Sequence, residues 1–113
     1  MKRAFSDWTK WTDRAALADL GYPGLYALAI SPAELSAMPF SWRLEIVYVG
    51  MTNAKGGLKS RLQQFDNTIK GGDGHGGGHR VRFKHSDYHE LTSHLFVSVC
   101  PWECDVTLND PAN

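Results

Sequence analysis

The pattern of apolar and polar positions changes period along the chain. Leu25 to Ile30 is a short apolar run launched by the turn signal Tyr22-Pro23-Gly24 and stopped at Ser31-Pro32. Leu44 to Val49 is rich in β-branched and aromatic residues and is terminated by Gly50, and Leu95 to Val99 is a third such run, stopped by Pro101. All three predict strands. Between the second and third, Leu58, Leu62, Phe65 and Ile69 recur at helical spacing and predict an amphipathic helix whose stripe faces the sheet, with Lys59, Ser60, Gln63, Gln64 and Asp66 directed away from it. Thr12 is a candidate N-cap for a short helix through Arg14 to Leu20, closed by Gly21, with Trp8 and Trp11 three apart on a buried stripe. Ser31 can cap a single helical turn before Pro39, and Trp42 reads as core.

Two further stretches are less regular. Gly71 to His79 has six glycines in nine positions and reads as a mobile loop, without the Gly-Lys-Ser/Thr ending of a phosphate-cradling P-loop. Arg80 to His85 alternates cations with Val81 and Phe83 and is compatible with a strand or a helical turn. Asn109-Asp110-Pro111 is a helix opening with no helix body before Asn113. The order of elements predicts a small α+β domain with a three-stranded, mostly antiparallel sheet flanked by helices, residues 1–23 forming a helical extension and 24–113 the domain proper.

Composition narrows this little. A chain of 113 residues that is 42% hydrophobic can bury one modest core. No apolar run approaches membrane-spanning length and the amino terminus lacks a signal peptide's apolar centre, so the expectation is a soluble cytoplasmic protein without a membrane partner. Cys100 and Cys104, near His94, read as reduced thiols; one Cys-x3-Cys pair is a weak zinc signature.

Net charge is zero, which excludes a globally basic surface, but its distribution is uneven. Lys55 to His85 contains seven lysines and arginines against two acids, whereas Ser86 onward contains five acids and no lysine or arginine. Such a chain can grip a phosphate backbone on one face. Lys55, Lys59, Arg80, Arg82 and Lys84 are the candidate backbone-binding residues.

The chemistry-bearing residues are Gly24-Leu25-Tyr26 at the start of the first strand, Tyr48-Val49-Gly50 at the end of the second, and Arg61 on the helix behind, near an amino terminus whose free N–H groups favour a phosphate. In this order, they resemble the signature of the GIY-YIG nuclease family over roughly residues 24–99, with Leu58-Lys59-Ser60-Arg61-Leu62 similar to the family's arginine-bearing helix. The resemblance implies a β-β-α-β-α domain whose last helix is incomplete here, and a metal-dependent endonuclease hydrolysing DNA phosphodiester bonds. It implies that Tyr26 and Tyr48 position and activate water, that Arg61 holds the scissile phosphate, and that a glutamate on the helix after the third strand carries one Mg2+ or Mn2+.

Three departures from that family pattern bear on the expectation. The Tyr26–Tyr48 separation is long because of the excursion from Ser31 to Arg43. Phe65 stands one turn after Arg61, where many members carry a histidine or tyrosine, so His75 and His79 are the candidate substitute proton carriers. Neither Glu90 nor Glu103 stands where the metal glutamate belongs, which leaves the metal ligands unknown and implies a fragment or an inactive relative. The competing readings are a nucleic-acid-binding module of the same fold and a protein-interaction domain.

Overall fold

The computed structural model describes residues 4–102. Four strands, β1 (Thr9–Lys10), β2 (Gly24–Ile30), β3 (Ile46–Thr52) and β4 (Leu95–Pro101), form one antiparallel sheet in the order β1-β4-β2-β3. The architecture is α+β, as the element order predicts; β2 and β4 lie where their apolar runs stand, whereas β3 is shifted along its run, starting at Ile46 after a turn at Leu44 and Glu45 and passing Gly50 to Thr52. The fourth strand is new. Two residues are too few to show an alternation, and β1 exists because Thr9 and Lys10 pair with Val97 and Phe96 of β4.

That strand corrects the expectation of a helical extension over residues 1–23. Trp8 and Trp11 do not form one stripe, because the chain between them is extended and carries them around the edge of the sheet. Trp11 packs on the helix-covered face with Tyr26, Leu28 and Phe65. Trp8 packs on the opposite face with Ala27, Ala29, Leu35 and Phe96. A 3-10 turn over Trp11–Ala16 replaces the predicted helix, and Thr12 is not its cap. The turn ends at Ala16, where Leu17 turns extended, and beyond it the carbonyls of Leu20 and Tyr22 accept the N–H groups of Lys59 and Leu58, at 2.8 and 2.9 Å. Residues 31–45 contain turns and bends but no helical turn, although Ser31 Oγ does accept the Ala33 N–H at 3.1 Å. Trp42 is 69% exposed, which corrects its assignment to the core.

The amphipathic helix is α1 (Gly57–Ile69), with Leu58, Leu62, Phe65 and Ile69 buried as their spacing requires. Asp66 is buried as well, against expectation. Its carboxylate accepts hydrogen bonds from Trp11 Nε1 and Tyr88 Oη, each at 2.8 Å, and sits 2.9 Å from Lys70 Nζ and 3.5 Å from Arg14. It thereby ties α1 to the 3-10 turn and to α3 (Tyr88–Ser93), a short helix capped by Asp87 Oδ1.

The glycine run is not a loop throughout. From Gly76 it becomes α2 (Gly76–Lys84), which settles the ambiguous Arg80 to His85 stretch as helix. His75 is its N-cap, accepting the Gly78 N–H through Nδ1 at 3.1 Å. Glycine is required here by close approach. A Cβ at Gly77 would stand 2.6 Å from the Tyr48 ring, and one at Gly78 would stand 2.9 Å from Thr68 of α1. The lack of side chains at Gly77 and Gly78 therefore allows a helix to lie directly on the sheet and on α1. Among the described residues no helix is long and apolar enough to cross a membrane. Glu103, Cys104 and the predicted helix opening at Asn109 lie outside the described residues.

Candidate functional site

The site is built on the paired middle strands. In an antiparallel pair, residues opposite one another share a face. Tyr26 stands opposite Gly50 and Leu28 opposite Tyr48, so both tyrosines project onto the face that α1 and α2 cover. Their ring centroids are 6.0 Å apart. Gly50 is what permits this, because a Cβ there would lie 2.5 Å from Tyr26 Cζ and Oη and 2.7 Å from Tyr48 Cε2. The glycine closing the second triplet is thus a steric requirement of the first triplet's tyrosine. It does not terminate the strand as the sequence suggests; β3 continues to Thr52.

His75 completes the cluster. Its ring lies 5.4 Å from that of Tyr48 and 5.2 Å from that of Phe65, and its Nε2 is 2.6 Å from Tyr26 Oη. Because Nδ1 accepts the Gly78 N–H, the proton of the neutral ring resides on Nε2, and His75 donates to the tyrosine oxygen. Burial and then the charge of Arg61 push the His75 pKa down to about 4, so the ring is neutral at ordinary pH. Burial pushes the Tyr26 phenol up to about 12 against the opposing pull of Arg61. The pair is a neutral imidazole holding a neutral phenol.

Arg61 approaches from α1. Its guanidinium donates to Gln64 Oε1 at 2.7 Å and to the Gly74 carbonyl at 3.2 Å, which aims it across the start of α2 toward Tyr26 and His75. It remains partly exposed, as does Tyr48. Tyr26 is fully buried and His75 nearly so. Solvent and any ligand therefore meet Tyr48 and Arg61, with Tyr26 and His75 behind them.

The α1 amino terminus does not offer the free N–H groups expected of it. Gly57 adopts φ +66° and packs against the Gly21 and Tyr22 backbone, a left-handed conformation suited to glycine. This brings the preceding turn close enough for its carbonyls to take the N–H groups of Leu58 and Lys59, while Gly57 N–H bonds Ala54.

The remaining candidates divide. Arg80 reaches the cluster, its guanidinium carbon 5.7 Å from the Tyr48 ring centroid. Lys84 lies one turn further along α2, beside the same cleft. Arg82 points the other way and donates to the Thr68 carbonyl near the end of α1 at 3.4 Å. Lys59 borders grooves on the outer side of α1, with Gln63. Lys55 is exposed in the turn before α1. His79 pairs with Asp73 at 3.2 Å, so of the two loop histidines only His75 joins the tyrosines. In the sequence this histidine stands immediately before three glycines, a run that reads as loop, so local pattern gives no signal for its place in the cluster.

The metal implied by the family resemblance finds no ligand set here. Among the described residues no group of three or more His, Cys, Asp or Glu could hold an ion. Asp66 is committed to its four partners and Glu90 lies beside His94 at 3.4 Å. Cys100 is a buried free thiol. No protein-family model matches the chain, and no curated protein or solved structure matches it.

Proposed function

We propose that the domain is a GIY-YIG-like endonuclease acting on DNA phosphodiesters at the Tyr26, Tyr48, Arg61, His75 cluster. The observation that carries this reading is the buried His75–Tyr26 hydrogen bond beneath two partly exposed groups, Tyr48 and Arg61. Burying a phenol and an imidazole against each other costs desolvation and contributes to function only if their orientation matters. Arg61 supplies a fixed positive charge and up to two hydrogen bonds to phosphate oxygens, including the charge that develops as phosphorus is attacked. Tyr48 is the phenol that substrate and attacking water reach. Tyr26 and His75 are positioning residues: His75 fixes the Tyr26 hydroxyl, which in turn acts on Tyr48 and Arg61.

Neither His75 nitrogen is free to take a proton and Tyr26 is held neutral, so Tyr48 is the group left to position the attacking water by accepting a hydrogen bond from it, and the water's proton passes to solvent or to a phosphate oxygen. The described residues do not make a metal site, and no step is assigned to Mg2+ or Mn2+. The lack of such a ligand set among them favours a second reading, a nucleic-acid-binding module that uses Arg61, Arg80 and Lys84 without cleaving.

Nicking of supercoiled plasmid, with Mg2+, with Mn2+ and with chelator, tests both. Wild type is expected to nick, and Arg61→Ala and Tyr48→Phe each to lose on the order of a hundredfold in rate. A salt-dependent mobility shift with no nicking under any condition would overturn the enzyme and leave the binder. Neither shift nor nicking would overturn both.

A further inference from the structure

A cleft of about 380 Å³ opens beside the cluster, between β3 and α2. Its sheet side is made by a bulge. The β2–β3 register slips between Leu28 and Ala29, leaving Val47 without a register partner and displaying it next to Tyr48. Its helix side carries Arg80, Phe83 and Lys84, and its inner wall includes Gly77, which is buried against the Tyr48 ring so closely that any side chain there would strike it. Phe83 is 90% exposed, an aromatic ring on the outer end of a helix where nothing within the described chain covers it. The lining contains two cations and no carboxylate. Acid appears only in the adjoining depression past His85, where Asp87 and Glu90 stand.

An apolar cleft with aromatic rings at its wall and mouth, cations on one rim and acids beyond one end has a defined complement. The rings favour a flat aromatic group, the cations an anion attached to it, and the acids stop an anionic chain from continuing in that direction. Because Tyr48 is common to the cleft and the cluster, the occupant is directly continuous with whatever phosphate lies at Arg61. We infer that the cleft receives one unpaired nucleotide adjacent to that phosphate, its base stacked on Phe83 against the Tyr48 wall and its own phosphate on Arg80 and Lys84. A base within a duplex cannot enter, since its faces are covered by neighbouring bases. The substrate class is therefore single-stranded, frayed or flipped-out DNA. This inference rests on the reading that the domain engages nucleic acid at Arg61.

Fluorescence anisotropy on wild type, Phe83→Ala, Lys84→Ala and Arg61→Ala tests it, using a labelled oligothymidine, an abasic oligonucleotide of equal length, a duplex and thymidine monophosphate as competitor. The exposed position of Phe83 makes its replacement safe for folding. Oligothymidine is expected to bind wild type more tightly than the abasic strand or the duplex, and Phe83→Ala is expected to weaken it roughly 5- to 100-fold without changing the salt dependence. Lys84→Ala should reduce the salt slope, and the abasic strand should be indifferent to Phe83→Ala. Equal binding of abasic and thymidine strands, or an unchanged affinity in Phe83→Ala, overturns the base pocket. If the monophosphate binds as tightly as the strand, the nucleic-acid occupant is overturned in favour of a free nucleotide. If duplex plasmid is nicked in an Arg61-dependent way while Phe83→Ala behaves as wild type, the pocket falls and the nuclease reading stands; if no DNA is bound or cut, both fall.

Discussion

Replacing Gly50 by alanine isolates the steric relation on which the cluster depends. The added Cβ would stand 2.5 Å from Tyr26 Cζ and Oη and 2.7 Å from Tyr48 Cε2, whereas ordinary carbon contacts lie at about 3.5–4.0 Å. One or both rings must move by about 1 Å to reach that range. Tyr48 is partly exposed and can swing outward, but Tyr26 has no exposure and is held by His75 at 2.6 Å. Overpacking of a closed core costs about 1–3 kcal/mol, and loss of the His75–Tyr26 hydrogen bond adds about 1 kcal/mol. The expected total is roughly 2–4 kcal/mol, which for a domain of this size lowers the melting temperature by roughly 10–25 °C.

Gly76→Ala is the matched control, because its Cβ meets nothing within 4 Å and its backbone is helical. That change is expected to be neutral or to stabilise by about 0.4–1 kcal/mol through the unfolded chain. Thermal melts followed by circular dichroism, with the tyrosine signal in the near ultraviolet read alongside, measure both. A Gly50→Ala protein melting within about 2 °C of wild type, or a Gly76→Ala protein that loses as much, would refute the steric argument.

Two further expectations concern stability and pH. Burial alone would raise the Asp66 pKa, but hydrogen bonds from Lys70, Trp11 and Tyr88 and the charge of Arg14 hold it below its ordinary value. Its contribution is therefore complete above about pH 3.9, the unfolded value, and is lost as pH falls through the lower folded value; Asp66→Asn should cost roughly 2–4 kcal/mol in urea unfolding at pH 7 and weaken the acid limb. His75 works in a higher window: with the folded pKa near 4 against 6.5, the unfolded chain takes up the proton first, and stability falls from about pH 6.5 to about pH 4 by roughly 3 kcal/mol. His75→Asn keeps a side chain able to cap α2 but cannot reach Tyr26, so this slope should vanish in urea titrations across that range; a slope equal to wild type would show that His75 is not the titrating group.

Much of this molecule is written in local pattern. The three long strands, the α1 stripe of Leu58, Leu62, Phe65 and Ile69, and the placing of the two tyrosine triplets on the first two of those strands follow from periodicity and turn chemistry, which act between residues close in sequence. What local pattern cannot carry is the energy of contacts made across the chain. Thr9–Lys10 is a strand only because β4 lies beside it, and Trp8 and Trp11 part to opposite faces for the same reason. Asp66 reads as a solvated helix residue until Trp11, Arg14, Lys70 and Tyr88 are brought around it. The glycines before His79 read as slack, yet their lack of side chains is what lets α2 settle on Tyr48 and Thr68. The same packing delivers His75, remote in sequence from Tyr26, to within 2.6 Å of its hydroxyl. The sequence alone thus determined that two tyrosines and an arginine would be displayed on adjoining elements. Only the tertiary structure decided that the first tyrosine is sealed behind the second and held by a histidine, because burial and hydrogen-bond geometry are properties of the assembled core.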